Sequence, residues 1–222
     1  MKKLLTDALM KIVLGFILLS LLLFLPAGGF DYRNAWLFLS ILFIPMLIAG
    51  SIMLVKSPSL LKKRLNGKES DSTQKLVVKL SGLMFLCGFI VAGLDYRFSL
   101  AGIPFWASCL YAAFFLCGYI IYFEVMRENA FLSRTIETHE GQTVIDTGLY
   151  GIVRHPMYTA TIIMFLSIPM ILGSLLSLLI FLFYPFLIVI RILNEEKLLE
   201  KELKGYTEYK TRVRYRLIPY IW

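Results

Sequence analysis

The chain has 222 residues, 58% of them hydrophobic and 17% charged, with a mean hydropathy of +0.73. A soluble domain of this length could bury a core with far less apolar sequence, and several runs approach or exceed the ~20 residues that span a bilayer. Those runs are continuous, which excludes a membrane barrel with its ~10-residue alternating segments, and the net charge of +8 gathers at helix ends, as membrane topology demands, rather than in a nucleic-acid-binding face.

The expected class is therefore all-α, a polytopic integral membrane protein. The first span covers 8–25 and stops at Pro26-Ala27-Gly28-Gly29, with Lys11 able to snorkel to the interface. A short loop, 30–34, leads to a second span at 35–55, which Pro45 should kink. The polar segment 56–75 carries Lys62, Lys63, Arg64 and Lys68. Leu60, Leu61 and Leu65 among those charges predict a short helix lying on the membrane surface. The segment lacks the aromatic residues that single-stranded nucleic acid would stack on.

A third span at 77–94 is followed by Asp95-Tyr96-Arg97, and a fourth covers 103–123. The DYR triplet occurs at 31–33 and 95–97, each ahead of a tryptophan, Trp36 or Trp106, and reads as interfacial aromatic preference ahead of the alternative, the trace of a repeated helical hairpin. Cys87, Cys109 and Cys117 lie in apolar runs without CxxC spacing, so they read as small packing residues. Met1-Lys2-Lys3 precedes an apolar run that no small-residue cleavage site follows. The first four spans contain no acidic residue, which weakens a proton-coupled transporter, and Glu124 sits past the end of the fourth.

Residues 157–190 carry no charge. As one helix they would extend ~51 Å, against a hydrocarbon core of ~30 Å. Gly173-Ser174 lies near the middle, with Pro169 and Pro185 on either side, so two short helices forming a hairpin are expected. About six membrane segments then put both termini on one side. That side holds 21 lysines and arginines, against Arg33 and Arg97 on the other. The basic side is expected to be cytoplasmic. Two regions follow: 1–126, with four membrane helices and the cytosolic loop 56–75, and 127–222, with the chemistry.

The chemistry centres on 142–158, QTVIDTGLYGIVRHPMY. Gly148 after Asp146-Thr147 signals a turn, and Val144 and Ile145 are apolar residues able to line a pocket. Pro156 suits the first helical position, with His155 at the cap. A helix start there attracts an anion, and Arg154 adds to the field. His139 and His155 are the only histidines. With Glu195 and Glu196 they form no spacing typical of a metal site, and no metal is expected. His155 stands as a general base or as a hydrogen-bonding cap. Beyond the apolar segment, Arg191 and Glu195 share a helix face. Arg191 ends an apolar run, so it is either paired with Glu195 or functional. Leu198, Leu199 and Leu203 mark an amphipathic helix that Gly205 ends. The basic, aromatic tail beyond reads by itself as a membrane-surface segment.

Taken together, GQTVIDTGLYGIVRHPMY, RxxxEE at 191–196, GYxEY at 205–209 and a closing RLIPxxW resemble the isoprenylcysteine carboxyl methyltransferase family. The wider group includes bacterial homologues and phospholipid methyltransferases. The resemblance covers 129–222, and its RHPxY element is shared with membrane sterol reductases. It implies S-adenosyl-L-methionine-dependent methyl transfer at the membrane–cytosol boundary. It also implies cofactor contacts at Gln142, Thr143, Val144, Ile145, Tyr150, His155, Pro156, Met157, Tyr158 and Glu195. Arg191 matches the family's acceptor-side arginine. Leu149 and Gly151 depart from the GPYR-type residues of many relatives.

No Gly-rich strand–turn–helix fingerprint is present, which excludes a soluble Rossmann-type methyltransferase. A carboxylate acceptor needs no base, and Arg191 could hold it through a charge-assisted pair. An amine acceptor would need one, from His155 or Glu196. The expected function is O-methylation of a lipid-like or prenylcysteine-type acceptor, with that acceptor and membrane lipids as the partners and no nucleic acid. The alternatives are a phospholipid or amine N-methyltransferase, an NADPH-dependent reductase of the sterol-reductase type, and a non-enzymatic membrane scaffold.

Overall fold

A computed structural model of the chain describes residues 2–65, 71–129, 131–132 and 141–222; Lys68 and His139 lie outside them. The described residues form nine α-helices: α1 Lys2–Ala27, α2 Arg33–Lys56, α3 Pro58–Leu65, α4 Ser72–Phe98, α5 Phe105–Glu128, α6 Pro156–Ile171, α7 Leu175–Phe181, α8 Tyr184–Glu202 and α9 Tyr206–Arg212. Five stretches are long and apolar enough to cross a membrane: Lys3–Ala27, Arg33–Lys56, Ser72–Phe98, Phe105–Glu128 and Leu175–Glu202. α6 is apolar but shorter. The charged segment after the second span does form the short helix α3. Residues 157–190 fold back on themselves at Gly173, whose φ of +78° is the left-handed conformation that glycine adopts without strain.

The turn of this hairpin is tied to the rest of the bundle by a dense set of polar contacts. The Tyr32 hydroxyl donates to the Leu172 carbonyl at 2.5 Å, and the Asn34 amide to the Ile171 carbonyl at 2.8 Å. The Ile103 N–H donates to the Gly173 carbonyl, and Leu175 N–H to the Ala101 carbonyl. Asp95 accepts from the Ser174 hydroxyl at 2.5 Å and from the Ala101 N–H at 2.7 Å. Ser174 also caps α7 by accepting from the Ser177 N–H. The sequence places Asp95 beyond the end of the third span. The structure instead continues α4 to Phe98 and buries Asp95, because Ser174 of the hairpin turn satisfies one of its oxygens and the Ala101 N–H of the α4–α5 loop the other. The two DYR triplets meet here as well: the rings of Tyr32 and Tyr96 stack at 4.3 Å.

These ties set the depth of the functional end. With 16 residues α6 is ~24 Å long and with 24 residues α5 is ~36 Å. Their far ends are held together, since Ser108 near the start of α5 donates to the Met170 carbonyl near the end of α6. At the other end α6 therefore begins well short of the end of α5. The recess is roofed by the loop 141–155 and by α8, α9 and the tail. The two helices lie very close. A Cβ at Gly118 on α5 would stand 2.5 Å from Met164 Cγ and 3.1 Å from the Ala160 carbonyl. An aromatic cluster of Phe85, Phe89, Phe165, Phe181 and Tyr184 fills the space between α4, α6 and the α7–α8 arm.

The close approach predicts that Gly118→Val destabilises the protein by about 1–3 kcal/mol through overpacking. Gly82→Val, where a Cβ meets nothing within 4 Å, serves as the matched control. Thermal unfolding in detergent should show a lower midpoint for the first variant and a much smaller change for the second.

Candidate functional site

The recess is built from both arms of the hairpin and from what precedes and follows them. Glu128, the last residue of α5, reaches into the turn Gly148–Gly151 and accepts from the Leu149 N–H at 3.1 Å. Gly148 has φ +52°, the left-handed region that favours glycine, and a Cβ there would also have to displace the Glu128 carboxylate. Next to it Asn129 donates to the Tyr150 phenol at 3.0 Å. Burial above all, then the Glu195 and Glu128 carboxylates, push that phenol up to about 12 against the opposing pull of the Asn129 bond, so it stays neutral. The Tyr150 carbonyl in turn accepts from the Tyr209 hydroxyl at 2.7 Å, which docks α9 on the loop. Arg212 pairs with Asp146 at 2.7 Å on the outer side.

A second set of contacts locks the tail across the start of α6. The N–H groups of Arg154 and His155 donate to the carbonyls of Tyr215 and Arg216, each at 2.9 Å. Thr159 donates to the Leu217 carbonyl at 2.8 Å. At the centre lies Glu196, 3% exposed. One of its oxygens accepts from Arg154 Nε at 2.7 Å and faces His155 Nε2 at 3.3 Å; the other accepts from Arg216 Nε at 3.0 Å. Arg154 also donates to the Val213 and Arg214 carbonyls.

These contacts change three readings made from the sequence. Glu196 does not line the cleft, and with both oxygens engaged it is not placed as a base. Arg154 lines the cleft, but its guanidinium is engaged by Glu196, which it shares with Arg216, and by the Val213 and Arg214 carbonyls. The tail is not merely a surface segment, because Tyr206, Tyr209 and Val213 are buried against the loop and α8, and Leu217 joins the main core of the bundle.

All eleven residues singled out from the sequence line one cleft: Gln142, Thr143, Val144, Ile145, Tyr150, His155, Pro156, Met157, Tyr158, Arg191 and Glu195. The cleft is open at its mouth, where its space runs out into solvent. Tyr158 joins its two arms. The phenol accepts from Arg191 Nε at 2.9 Å and donates to Glu195 at 2.6 Å. Arg191 and Glu195 are thus coupled through a tyrosine that comes from α6, the other arm of the hairpin. Met157, one residue earlier, lies 3.8 Å from an Arg64 nitrogen, and that guanidinium also sits over the Tyr122 ring, so α3 reaches the neighbourhood of the cleft. At Gly151, where the motif departs from GPYR-type residues, a Cβ would meet the Asp146 carbonyl at 3.1 Å.

The cleft also contains residues that sequence reasoning passed over: Asn129, Phe131 and Leu132 after α5, and Leu199, Leu203, Tyr206 and Tyr209 beyond Glu195. The leucine spacing was visible as an amphipathic face, but a face turned to a cleft and one turned to a membrane carry the same pattern. Among the described residues no group of three or more His, Cys, Asp or Glu side chains is placed to hold a metal ion.

Residues 106–205 match the family model of the phospholipid methyltransferases. This segment runs from α5 to the residue before α9 and contains the eleven residues above. Over 91 residues the chain is 38% identical to a Delta(14)-sterol reductase of Mus musculus, a stretch that makes up 40% of this chain and 22% of that protein. The chain therefore spans about a fifth of the length of that curated relative.

Removing one partner of a buried ion pair leaves the others uncompensated, typically at ~3–5 kcal/mol. Glu196→Ala should therefore lower the unfolding midpoint strongly and free the tail. Limited proteolysis should cut beyond residue 212 in the variant and leave the parent protein intact there.

Proposed function

We propose that the chain is an integral membrane, S-adenosyl-L-methionine-dependent methyltransferase of the isoprenylcysteine carboxyl methyltransferase type. Its acceptor is a lipid-like or prenylcysteine-type molecule, methylated on a carboxylate. The observation that carries this reading is the single cleft joining 142–158 to Arg191 and Glu195, inside the segment that matches the phospholipid methyltransferase model. In this reading 1–126 is the membrane scaffold and 127–222 the catalytic region. Both termini and the cleft face the cytosol, across a bacterial inner membrane, as the lysine and arginine bias favours.

The side chains fit such a donor molecule. Val144, Ile145, Leu199 and Leu203 offer an apolar wall for a flat heterocycle, while Gln142, Thr143 and Glu195 offer polar groups. The start of α6 at Pro156 suits an anionic group. When bound, S-adenosyl-L-methionine supplies an already activated methyl group, so the chain has mainly to position and enclose. Arg191 pairs with the acceptor carboxylate. Tyr158 orients Arg191 through Nε and Glu195 through its own proton. A carboxylate is ionised at neutral pH and needs no base.

The phospholipid methyltransferase match favours a second reading, N-methylation of a lipid amine. With Glu196 engaged by two arginines, the base would then fall to His155, which lines the cleft. The stretch shared with a sterol reductase favours a nicotinamide cofactor instead.

Labelled S-adenosyl-L-methionine should bind the purified protein and not be displaced by NADPH. Glu195→Ala should lose donor binding by tenfold or more. Arg191→Ala should keep donor binding and lose methyl transfer to a prenylcysteine by roughly 100-fold, the usual scale for an unpaired charge contact. Displacement by NADPH, or donor binding indifferent to Glu195→Ala, would sink the reading. Mass spectrometry of the product tells ester from methylated amine.

A further inference from the structure

Tyr206 is 4% exposed, lines the cleft, and its hydroxyl is buried with no hydrogen-bond partner among the described residues. A buried hydroxyl left unpaired is rare and costs stability. Its neighbour shows the contrast. Tyr209 is equally buried, and its hydroxyl is spent on the Tyr150 carbonyl. The two rings lie 5.7 Å apart on α9.

The surroundings of Tyr206 indicate what would satisfy it. It packs with Tyr209 and Val213 against Val144, Leu199 and Leu203, which makes this the apolar end of the cleft. The charged end, with Arg191, Glu195 and Tyr158, is where acceptor chemistry is placed. The apolar end suits a flat, weakly polar heterocycle and its sugar, with one hydrogen bond to fix register. Burial first, then the nearby Glu196 and Glu195 carboxylates, push the Tyr206 phenol upward, so it remains a donor at neutral pH.

We propose that Tyr206 is a recognition residue for the adenosine part of the methyl donor, its hydroxyl donating to an acceptor atom of the nucleoside. This rests on the methyl-donor reading of the cleft. It adds a residue just outside the segment that matches the family model, and it gives α9 and its docking contacts a direct part in donor binding.

The test uses the full chain in zwitterionic nanodiscs and compares Tyr206→Phe with Tyr209→Phe. Labelled S-adenosyl-L-methionine is the probe, and unlabelled adenosine the displacer. Tyr206→Phe removes an unpaired hydroxyl, so the midpoint of the ligand-free protein should stay the same or rise. Tyr209→Phe removes a paired one, so its midpoint should fall. Tyr206→Phe should weaken S-adenosyl-L-methionine and adenosine by the same factor, about 3–10-fold, as expected for one hydrogen bond. The inference is overturned if Tyr206→Phe binds both as tightly as the parent. A loss of ligand-free stability matching that of Tyr209→Phe overturns it too, since it would make the hydroxyl structural. So does a loss of S-adenosyl-L-methionine affinity without loss of adenosine affinity, or a parent protein that adenosine does not displace from. A parent protein that does not bind S-adenosyl-L-methionine at all removes the donor reading itself, an outcome distinct from the others.

Discussion

A carboxylate buried at the end of a helical bundle must be matched by positive charge, and here Glu196 on α8 draws it from two other stretches of chain. Arg154 and His155 come from the loop ahead of α6, Arg216 from the tail, and Glu196 itself from α8. Each stretch is weakly held by its own local structure. The loop has only a short turn at Gly148–Gly151, and the tail runs past the last helix. The shared carboxylate converts these segments into one roof. The backbone pairing of Arg154 and His155 with Tyr215 and Arg216 then fixes its register. Glu195, next in the chain, is released by this arrangement to face the cleft. Two consecutive glutamates thus face different ways: Glu196 holds the fold, and Glu195 lines the cleft.

The opposite end of the bundle matters as much, although it lies away from the cleft. Tyr32, Asn34 and Asp95 hold the turn of the hairpin against the loops that join α1 to α2 and α4 to α5. Pinning that turn fixes where the shorter α6 begins and how deep the recess lies. It also fixes the phase of α8 relative to α6, so that Tyr158 meets both Arg191 and Glu195. Polar groups buried in an apolar bundle are costly unless satisfied. These are satisfied only when the hairpin is fully seated.

Much of this arrangement was legible in the sequence because it follows from length and charge. An uncharged run too long for one crossing, with glycine at its middle and proline on either side, has to turn. Its turn returns Arg191 and Glu195 to the end from which the run set out. Other features were not legible for physical reasons. Asp95 stands beside an interfacial aromatic pattern, and nothing local announces the distant Ser174 that satisfies one of its buried oxygens. The pairing of Arg154 with Glu196 joins residues 42 apart, and local spacing carries no sign of it. Tyr206 and Tyr209 sit in a basic, aromatic tail whose composition suits a lipid surface as well as a cleft. Only the fold decides between the two.

The central claim is that one cleft, built by the loop 142–158 on one arm and by α8 and α9 on the other, binds the methyl donor. Photo-crosslinking of labelled S-adenosyl-L-methionine to the full chain, followed by peptide mapping, tests it most directly. The account predicts label on peptides from both 142–158 and 191–209, removed by excess unlabelled donor and unaffected by NADPH. Label confined to other segments, or removed by NADPH, would contradict it.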